Sequence, residues 1–301
     1  MMGNMSWVTS WEQWRQAMGP RGSQHRRRVM QFLQDHPAIL YWGDSWFSTP
    51  LYLNLARQSC LRINGMGMLV GKPGAEAAEL FTADAVKRMV GRLKASPFDL
   101  LCLSAGGNDC LDDRLAQVFA PWQGGGRVKI SAGQAYQQMF AAGVFDRVHA
   151  AYAGLLDALA PVQQARPAFR VVGHPYVPIH RIGVPADLTV ANIGLIAWLK
   201  DDVGPWLWNR MQWVLADKAE GKRFADLILV EGFGRGVLQK LAGGYPGFFS
   251  VVDFGGVTGI DQDSFWNDEI HPTEQGFLQL SRPFNQHLRD QLPAAKRAAV
   301  G

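Results

Sequence analysis

Short apolar runs alternate along the chain with stretches whose apolar positions recur at helical spacing. The stretch over 75–94, for example, repeats apolar residues about every three or four positions, as a helix with one buried face does. The pattern predicts five strands, over 38–43, 59–64, 98–104, 168–173 and 247–254, and helices over 50–58, 75–94, 132–160 and parts of 222–242. Strands separated by helices predict an α/β sandwich around a mainly parallel sheet.

The chain shows no internal repeat, no low-complexity tract and no linker long enough to divide it. We therefore predict a single domain over 1–301, with its core formed by 36–110 and 168–290. The stretch 111–230 is long for a connection and predicts a helical insertion or cap. Its later part carries four tryptophans: Trp198, Trp206, Trp208 and Trp213. These rings either line an acyl or aromatic pocket or fill the core of a helical subdomain.

Composition and charge narrow the class of protein. The 301 residues are 48% hydrophobic and 19% charged, which is typical of a chain that buries a sizeable core. The net charge is +4 and the basic runs at 25–28 and 296–297 are short, so no nucleic-acid partner is expected. The first thirty residues contain no continuous apolar segment, and no stretch reaches about 18 apolar residues. We therefore expect a cytoplasmic protein without a signal peptide or a membrane span.

The cysteines do not form a recognisable pattern. They are odd in number and lack paired spacing, which argues against a disulfide framework and against a zinc site. They are Cys60, Cys102 and Cys110.

Three polar clusters stand at predicted strand ends or on a late loop: GDS at 43–45, GGND at 106–109 and DEIHP at 268–272. Parallel strands end along one edge of a sheet, where open α/β sheets bind their ligands. Ser45 and Asn108 are therefore expected to be neighbours in space, and His271 to reach the same edge from its loop.

These residue types suit nucleophilic chemistry. A serine hydroxyl is a weak nucleophile at neutral pH and needs an adjacent base such as His271. Asp268 lies three residues before His271 and can fold back onto its ring to fix the tautomer. The side-chain amide of Asn108 can donate to a developing oxyanion.

Each residue also has a structural interpretation. Ser45 can be a helix N-cap, and Asn108 an ordinary turn residue after glycines. His271 can be a surface histidine before proline, and Asp268 a turn or cap residue. The occurrence of all of them together, in this order, favours the functional interpretation.

In that order the three clusters resemble the sequence blocks of the SGNH, or GDSL-type, hydrolase family. GDS at 43–45 resembles the nucleophile block, GGND at 106–109 the GxND block, and DEIHP at 268–272 the DxxHP block. The first block alone would be a weak signal, but together the blocks span 43–272, which is most of the chain.

The resemblance implies a flavodoxin-like three-layer α/β/α fold with a mainly parallel five-stranded sheet. It implies hydrolysis of carboxylic esters through an acyl-enzyme, with no metal and no organic cofactor. Ser45 would be the nucleophile, His271 the base and Asp268 the orienting acid. Asn108 and the backbone N–H of Ser45 would hold the oxyanion.

The sequence departs from the family pattern in two places. The nucleophile block reads GDSWF, so Trp46 places a large ring beside the nucleophile, where it either narrows the pocket or packs under it. The glycine that supplies an oxyanion N–H is not obvious; Gly74 fits best, and Gly71 is the second choice. His174, after the fourth predicted strand, either contacts substrate or is a structural histidine.

The leading hypothesis is a serine esterase acting on a small-molecule, lipid or carbohydrate ester. Acyl transfer to a sugar or alcohol, and a silent binding protein with the same fold, stay open as alternatives. Fold and catalytic residues do not fix the substrate, so acetylated sugars, lysophospholipids, thioesters and short-chain esters all remain. The sequence does not specify an oligomeric state.

Overall fold

One sheet of parallel strands organises the fold. The computed structural model describes residues 6–50, 52–186 and 204–301. Within these ranges there are six strands: β1 (Ser6–Val8), β2 (Ala38–Gly43), β3 (Met66–Gly71), β4 (Leu100–Ser104), β5 (Arg170–Gly173) and β6 (Phe249–Val251). Their order across the sheet is β1-β3-β2-β4-β5-β6, and each neighbouring pair is parallel. The predicted α/β architecture with a mainly parallel sheet is confirmed.

Helices connect and flank the strands. They are α1 (Trp11–Met18), α2 (Gln24–Asp35), α3 (Ser45–Ser48), α4 (Leu55–Cys60), α5 (Ala77–Leu80), α6 (Ala83–Ala95), α7 (Asp112–Val118), α8 (Ala132–Ala141), α9 (Val144–Ala165), α10 (Trp208–Met211), α11 (Lys218–Asp226), α12 (Lys240–Gly244) and α13 (Glu274–Gln291). A π-helical segment, Leu227–Gln239, joins α11 to α12, and short 3₁₀ turns cover Asn108–Cys110, Ala120–Gly125, Asp263–Phe265 and Ala294–Ala299. None of the helices in the described ranges combines the length and apolar composition needed to cross a membrane.

Two consecutive residues of β2 show that helices cover both faces of the sheet. Successive side chains of a strand point to opposite faces. The hydroxyl of Tyr41 lies 2.9 Å from that of Ser59 in α4, and the Tyr41 ring stacks near Phe284 of α13. The Trp42 ring instead meets Phe81, just before α6, at 5.0 Å. The sheet is therefore the middle of three layers.

The central strands are the ones that the apolar pattern identified best. All six residues of β2 and all five of β4 are buried. A parallel strand covered on both faces has no solvent side, so its sequence is a continuous apolar run instead of an alternation.

The predicted strand over 59–64 is wrong. Helix α4 extends to Cys60 and is followed by turns, and the second strand of the chain is β3, inside the glycine-rich run. At Gly71 a Cβ atom would lie 1.7 Å from the Gly43 carbonyl oxygen, so the close approach of β3 and β2 requires glycine there. Gly67 and Gly71 thus belong to a strand.

Two further expectations change with the structure. The sheet has six strands instead of five because β1, at three residues too short to give a pattern, pairs with β3. The stretch 111–131, at the start of the predicted insertion, contains α7 and a 3₁₀ turn. The predicted insertion over 111–230 also contains α9, which connects β4 to β5 and packs against α5 and α6.

Candidate active site

The carboxyl edge of the sheet brings Ser45 and His271 together across 226 positions of sequence. Ser45 is the first residue of α3, two positions after the end of β2, and His271 lies in the loop before α13. Ser45 Oγ is 2.9 Å from His271 Nε2. This is hydrogen-bond distance, as a nucleophile and its base require.

Asp268 completes a chain of hydrogen bonds with His271. Its Oδ1 and Oδ2 atoms lie 3.1 and 3.0 Å from His271 Nδ1. Oδ1 also accepts the backbone N–H groups of Ile270 at 2.9 Å and His271 at 2.8 Å, which fixes the turn. With Nδ1–H donating to Asp268, Nε2 is left to accept a proton from Ser45.

The electrostatics of Asp268 favour its ionised form. Burial raises the pKa of this carboxyl, but the charge of His271 and the hydrogen bonds from His271 and Ile270 outweigh burial and leave the pKa below its ordinary value. Asp268 is therefore suited to balance a positive charge on the His271 ring.

Asp44 holds the turn that presents Ser45. Its side chain caps α3 by accepting the backbone N–H of Trp46 at 3.0 Å, and it accepts the hydroxyl of Ser104, at the end of β4, at 2.7 Å. The Tyr176 hydroxyl donates to its other oxygen. Burial raises the pKa of Asp44, and these donors offset that only in part.

Asn108 and Ser45 line the same cleft. Asn108 begins the 3₁₀ turn after β4, and its Nδ2 donates to the Ala75 carbonyl at 3.1 Å. The next residue, Asp109, accepts the backbone N–H of Ala77, the first residue of α5, at 2.8 Å, so both side chains fasten this turn to the chain over 75–77. Burial raises the pKa of Asp109 to about 7.

The two candidate oxyanion glycines differ in their surroundings. Gly74 has φ of +74° in the turn over 72–75, directly before the residue whose carbonyl holds Asn108. Gly71 is required by the close pairing of β3 with β2. The close pairing of β3 with β2 thus explains why residue 71 is a glycine. Gly74 stays the predicted donor of a backbone N–H to the oxyanion.

Trp46 packs beneath the cleft and His174 lies behind it. The two rings stack with centroids 5.5 Å apart, and they are only 3% and 1% exposed. Trp46 lines the cleft, whereas His174 is not among the described residues that do. Burial lowers the pKa of His174 to about 4, so its ring is neutral. Of the two alternatives for His174, its surroundings favour the structural one, because Trp46 and Phe47 pack against its ring inside the core.

The remaining wall of the cleft is apolar. Six buried or half-buried side chains form it: Leu111, Val177, Ile179, Leu229, Trp266 and Ile270. Four of them come from the stretch 111–230, which was predicted to contain an insertion or cap. Sequence patterning did not find them because their positions depend on how loops and the π-helical segment fold over the sheet edge.

Aromatic rings border the other side of His271. The Trp206 ring stands at 89° to the His271 ring with centroids 5.5 Å apart, and the Tyr52 ring lies at 6.3 Å. Trp208 instead packs against Gly183 and Gly221, and Trp213 is 40% exposed. The fourth tryptophan of the sequence pattern, at position 198, lies outside the described residues.

Glu269 is a buried carboxylate that the sequence did not single out. Oε1 accepts the backbone N–H groups of Gly183 at 2.8 Å and Trp208 at 3.1 Å, and Oε2 accepts that of Leu207 at 2.7 Å. Its side chain thus ties two separate segments to the loop that carries His271. In the sequence Glu269 is one of two residues between Asp268 and His271. Nothing in that position predicts that its side chain is buried.

The chain matches no protein-family model and no curated protein sequence. Solved structures resemble it at low identity. A candidate platelet activating factor from Streptococcus pneumonia is 14% identical, with a TM-score of 0.38, and the match covers 87% of this chain and 91% of that one.

A candidate GDSL-like lipase from Bacteroides ovatus is 11% identical, with a TM-score of 0.40; the match covers 85% of this chain and 53% of the lipase. A salicylyl-acyltransferase from a tetracycline biosynthetic pathway is 12% identical, with a TM-score of 0.36 and coverage of 85% and 55%. The chain thus spans about half the length of these two proteins. At such TM-scores the neighbours carry no argument about its chemistry, which must come from its own residues.

Proposed function

We propose that this protein is an SGNH-type serine hydrolase that cleaves carboxylic esters through an acyl-enzyme. The observation that carries the proposal is the continuous contact from Ser45 Oγ through the His271 ring to the buried Asp268 carboxylate. This arrangement gives a hydroxyl its base and gives the base a fixed tautomer.

In the first half-reaction His271 Nε2 takes the Ser45 proton as Oγ attacks the ester carbonyl carbon. The carbonyl π electrons move to oxygen, and Asp268 balances the charge of the imidazolium. The tetrahedral intermediate then expels the alkoxide, which takes the proton from Nε2 and leaves as the alcohol. Water repeats the sequence on the acyl-enzyme, giving the carboxylic acid and free Ser45.

Three donors would hold the oxyanion. One N–H of the Asn108 amide is used by the Ala75 carbonyl, and the second is available, because an amide nitrogen carries two hydrogens. The N–H of Ser45 is at the first position of α3, where a helix offers no acceptor of its own. The N–H of Gly74 is the third. Loss of one such donor typically costs about 10²–10³-fold in rate.

The first experiment compares hydrolysis of p-nitrophenyl acetate by the wild type and by Ser45→Ala. We expect the variant to lose about 10³-fold or more in kcat and to keep the wild-type circular dichroism spectrum. A fluorophosphonate probe should label the wild type at Ser45 and leave the variant unlabelled. Substantial Ser45-independent turnover would overturn the assignment.

The chain offers a matched control in Ser250 of β6, whose hydroxyl also lies 2.9 Å from a histidine nitrogen, that of His287. Ser250→Ala should keep full activity, because a serine–histidine contact alone does not supply the oxyanion donors. Adding alcohol or sugar acceptors to the same assay tests the transferase alternative, which predicts an ester product that depends on the acceptor. A silent binding protein predicts neither turnover nor labelling.

A further inference from the structure

The cleft beside Ser45 and Asn108 contains a small, mostly apolar cavity. Its volume is about 30 Å³. A cavity of ~10–15 Å³ is enough to hold one water molecule, whereas an engineered apolar cavity that binds benzene measures ~150 Å³. The cavity therefore accepts a group of about the size of a methyl.

The cavity lies on the acyl side of the scissile bond. The leaving alcohol must sit at His271 Nε2, because that atom gives it a proton. The cavity is lined by Ser45, Asn108 and Ile270, but His271 is not among the described residues that line it. A group bound there contacts the nucleophile and the proposed oxyanion donor without contacting the His271 ring, which is the position expected for the acyl substituent.

The walls of the cavity are anchored. Tyr176 donates to Asp44, and its ring lies so close to the turn before Asn108 that a Cβ at Gly107 would be 2.8 Å from it. Trp266 donates its indole N–H to the Ile260 carbonyl at 2.7 Å. Val177, Ile179 and Leu229 are each less than 5% exposed. Close-packed side chains of this kind resist displacement by extra methylenes.

We propose that the substrate is an acetyl ester. The methyl of its two-carbon acyl group fills the cavity between Asn108 and the apolar wall, and longer acyl chains fit less well because a further methylene that enters the cavity must displace a buried side chain. This inference rests on the proposed hydrolase function and adds the acyl group to it. The alcohol lies on the open side, next to the rings that border His271.

The test is the profile of kcat/KM for the p-nitrophenyl esters of acetate, butyrate, hexanoate and octanoate. The leaving group is the same throughout, so only the acyl chain varies. We expect kcat/KM to fall about tenfold or more from acetate to butyrate and to fall further for hexanoate and octanoate, since one misfitting methylene typically costs about 10–200-fold. Where turnover is slow, the rate at which each ester acylates Ser45, read by intact mass, gives the same profile.

A cavity-enlarging substitution makes the test specific. Leu229→Ala should raise the butyrate-to-acetate ratio of kcat/KM about tenfold. The matched control is Leu238→Ala, because Leu238 lies in the same π-helical segment, is fully buried and packs near Gly173 of β5, away from the cavity. It should leave the ratio unchanged. Ile179→Val enlarges the cavity by less and can replace Leu229→Ala in this comparison if Leu229→Ala does not fold.

The outcomes distinguish a failure of the acetyl assignment from a failure of the proposed hydrolase function. A flat or rising profile with Ser45-dependent turnover overturns the acetyl assignment and leaves the hydrolase intact. Equal ratios in Leu229→Ala and Leu238→Ala do the same. No turnover, no acylation and no fluorophosphonate labelling of folded protein overturn the proposed hydrolase itself.

Discussion

Ser45 and His271 reach the same edge of the molecule on supports of different kinds. The serine side is built from regular structure: β2 and β4 end beside each other, and a Cβ at Gly43 would lie 2.4 Å from the Ser104 carbonyl oxygen, so the two strand ends are in close contact. The histidine side is a loop over 263–273 that two of its own buried carboxylates hold in place. Asp268 accepts backbone N–H groups within the loop, and Glu269 accepts backbone N–H groups of neighbouring segments. Backbone pairing positions the proposed nucleophile, and side-chain charge positions its proposed base.

Each side contains a buried aspartate, and the two differ in their partners. The donors to Asp44 are the neutral groups of Ser104, Tyr176 and a backbone N–H, and burial leaves its pKa raised. Asp268 faces His271, which can carry charge, and its pKa is lowered despite similar burial. Burial raises the pKa of any carboxyl because it disfavours the charged form. At Asp268 the interaction with an ionisable partner is large enough to lower the pKa instead.

The largest effect that this comparison predicts is for Asp268→Asn. Oδ1 is held by two backbone N–H groups, so the new amide nitrogen takes the position of Oδ2 and donates to His271 Nδ1. The ring must then carry its proton on Nε2, where it cannot accept one from Ser45. We expect kcat for p-nitrophenyl acetate to fall about 10⁴-fold, as wrong-tautomer variants of such triads do.

Asp44→Asn is the control for that prediction. Its amide oxygen can keep the Trp46 and Ser104 hydrogen bonds, and the Tyr176 hydroxyl can turn to accept from the new amide. We expect kcat to change less than about tenfold, with a lower melting temperature as the main effect. The charge of His271 lowers the pKa of both carboxyls but is a minor influence on Asp44, so equal losses of kcat in the two variants would contradict the assignment of the main charge stabilisation to Asp268.

The second prediction concerns stability and pH on the serine side. Burial raises the folded-state pKa of Asp109 from 3.8 to about 7, so between these values the folded protein holds a proton that the unfolded chain has released. The free energy of unfolding therefore decreases as pH rises through this window, by roughly 4 kcal/mol for a shift of about three units.

Asp109→Asn removes that decrease. The amide oxygen still accepts the Ala77 N–H but does not ionise. Urea unfolding at pH 5 and pH 8 should show that the stability advantage of the variant over the wild type is roughly 2 kcal/mol larger at the higher pH, because pH 5 lies near the lower end of this window. A constant difference between the two proteins at both values would count against a proton held on Asp109.

The same contrast explains what the sequence could predict. The positions of Ser45 and Asn108 follow from apolar runs that end at one sheet edge, a rule that needs no knowledge of loops. Glu269 and the apolar wall around Leu229 come from segments whose course depends on tertiary packing. His174 also follows a strand, yet it lies inside the core, because the strand-end rule does not say which side chains neighbouring rings will cover.

The smallest effect, and the sharpest test of the histidine side, is for Glu269→Gln. The new amide nitrogen replaces either Oε1 or Oε2, and both of these oxygens accept backbone N–H groups. At least one N–H therefore loses its acceptor, and if the nitrogen replaces Oε2 it is that of Leu207. Leaving a buried donor unsatisfied costs about 1–3 kcal/mol of stability. Leu207 follows Trp206, whose ring lies against His271, so the disturbance also reaches the proposed base.

We therefore expect Glu269→Gln to lower kcat for p-nitrophenyl acetate by about tenfold with a smaller change in KM, because binding depends mostly on the cavity walls. Glu231→Gln is the matched control: the same change at an exposed ion pair with Arg235, where the pair contributes about 0–1 kcal/mol. A lower melting temperature with unchanged kcat would make Glu269 a fold-stabilising residue only. A fall in kcat would show that a carboxylate without any contact to substrate positions the base through the backbone that it binds.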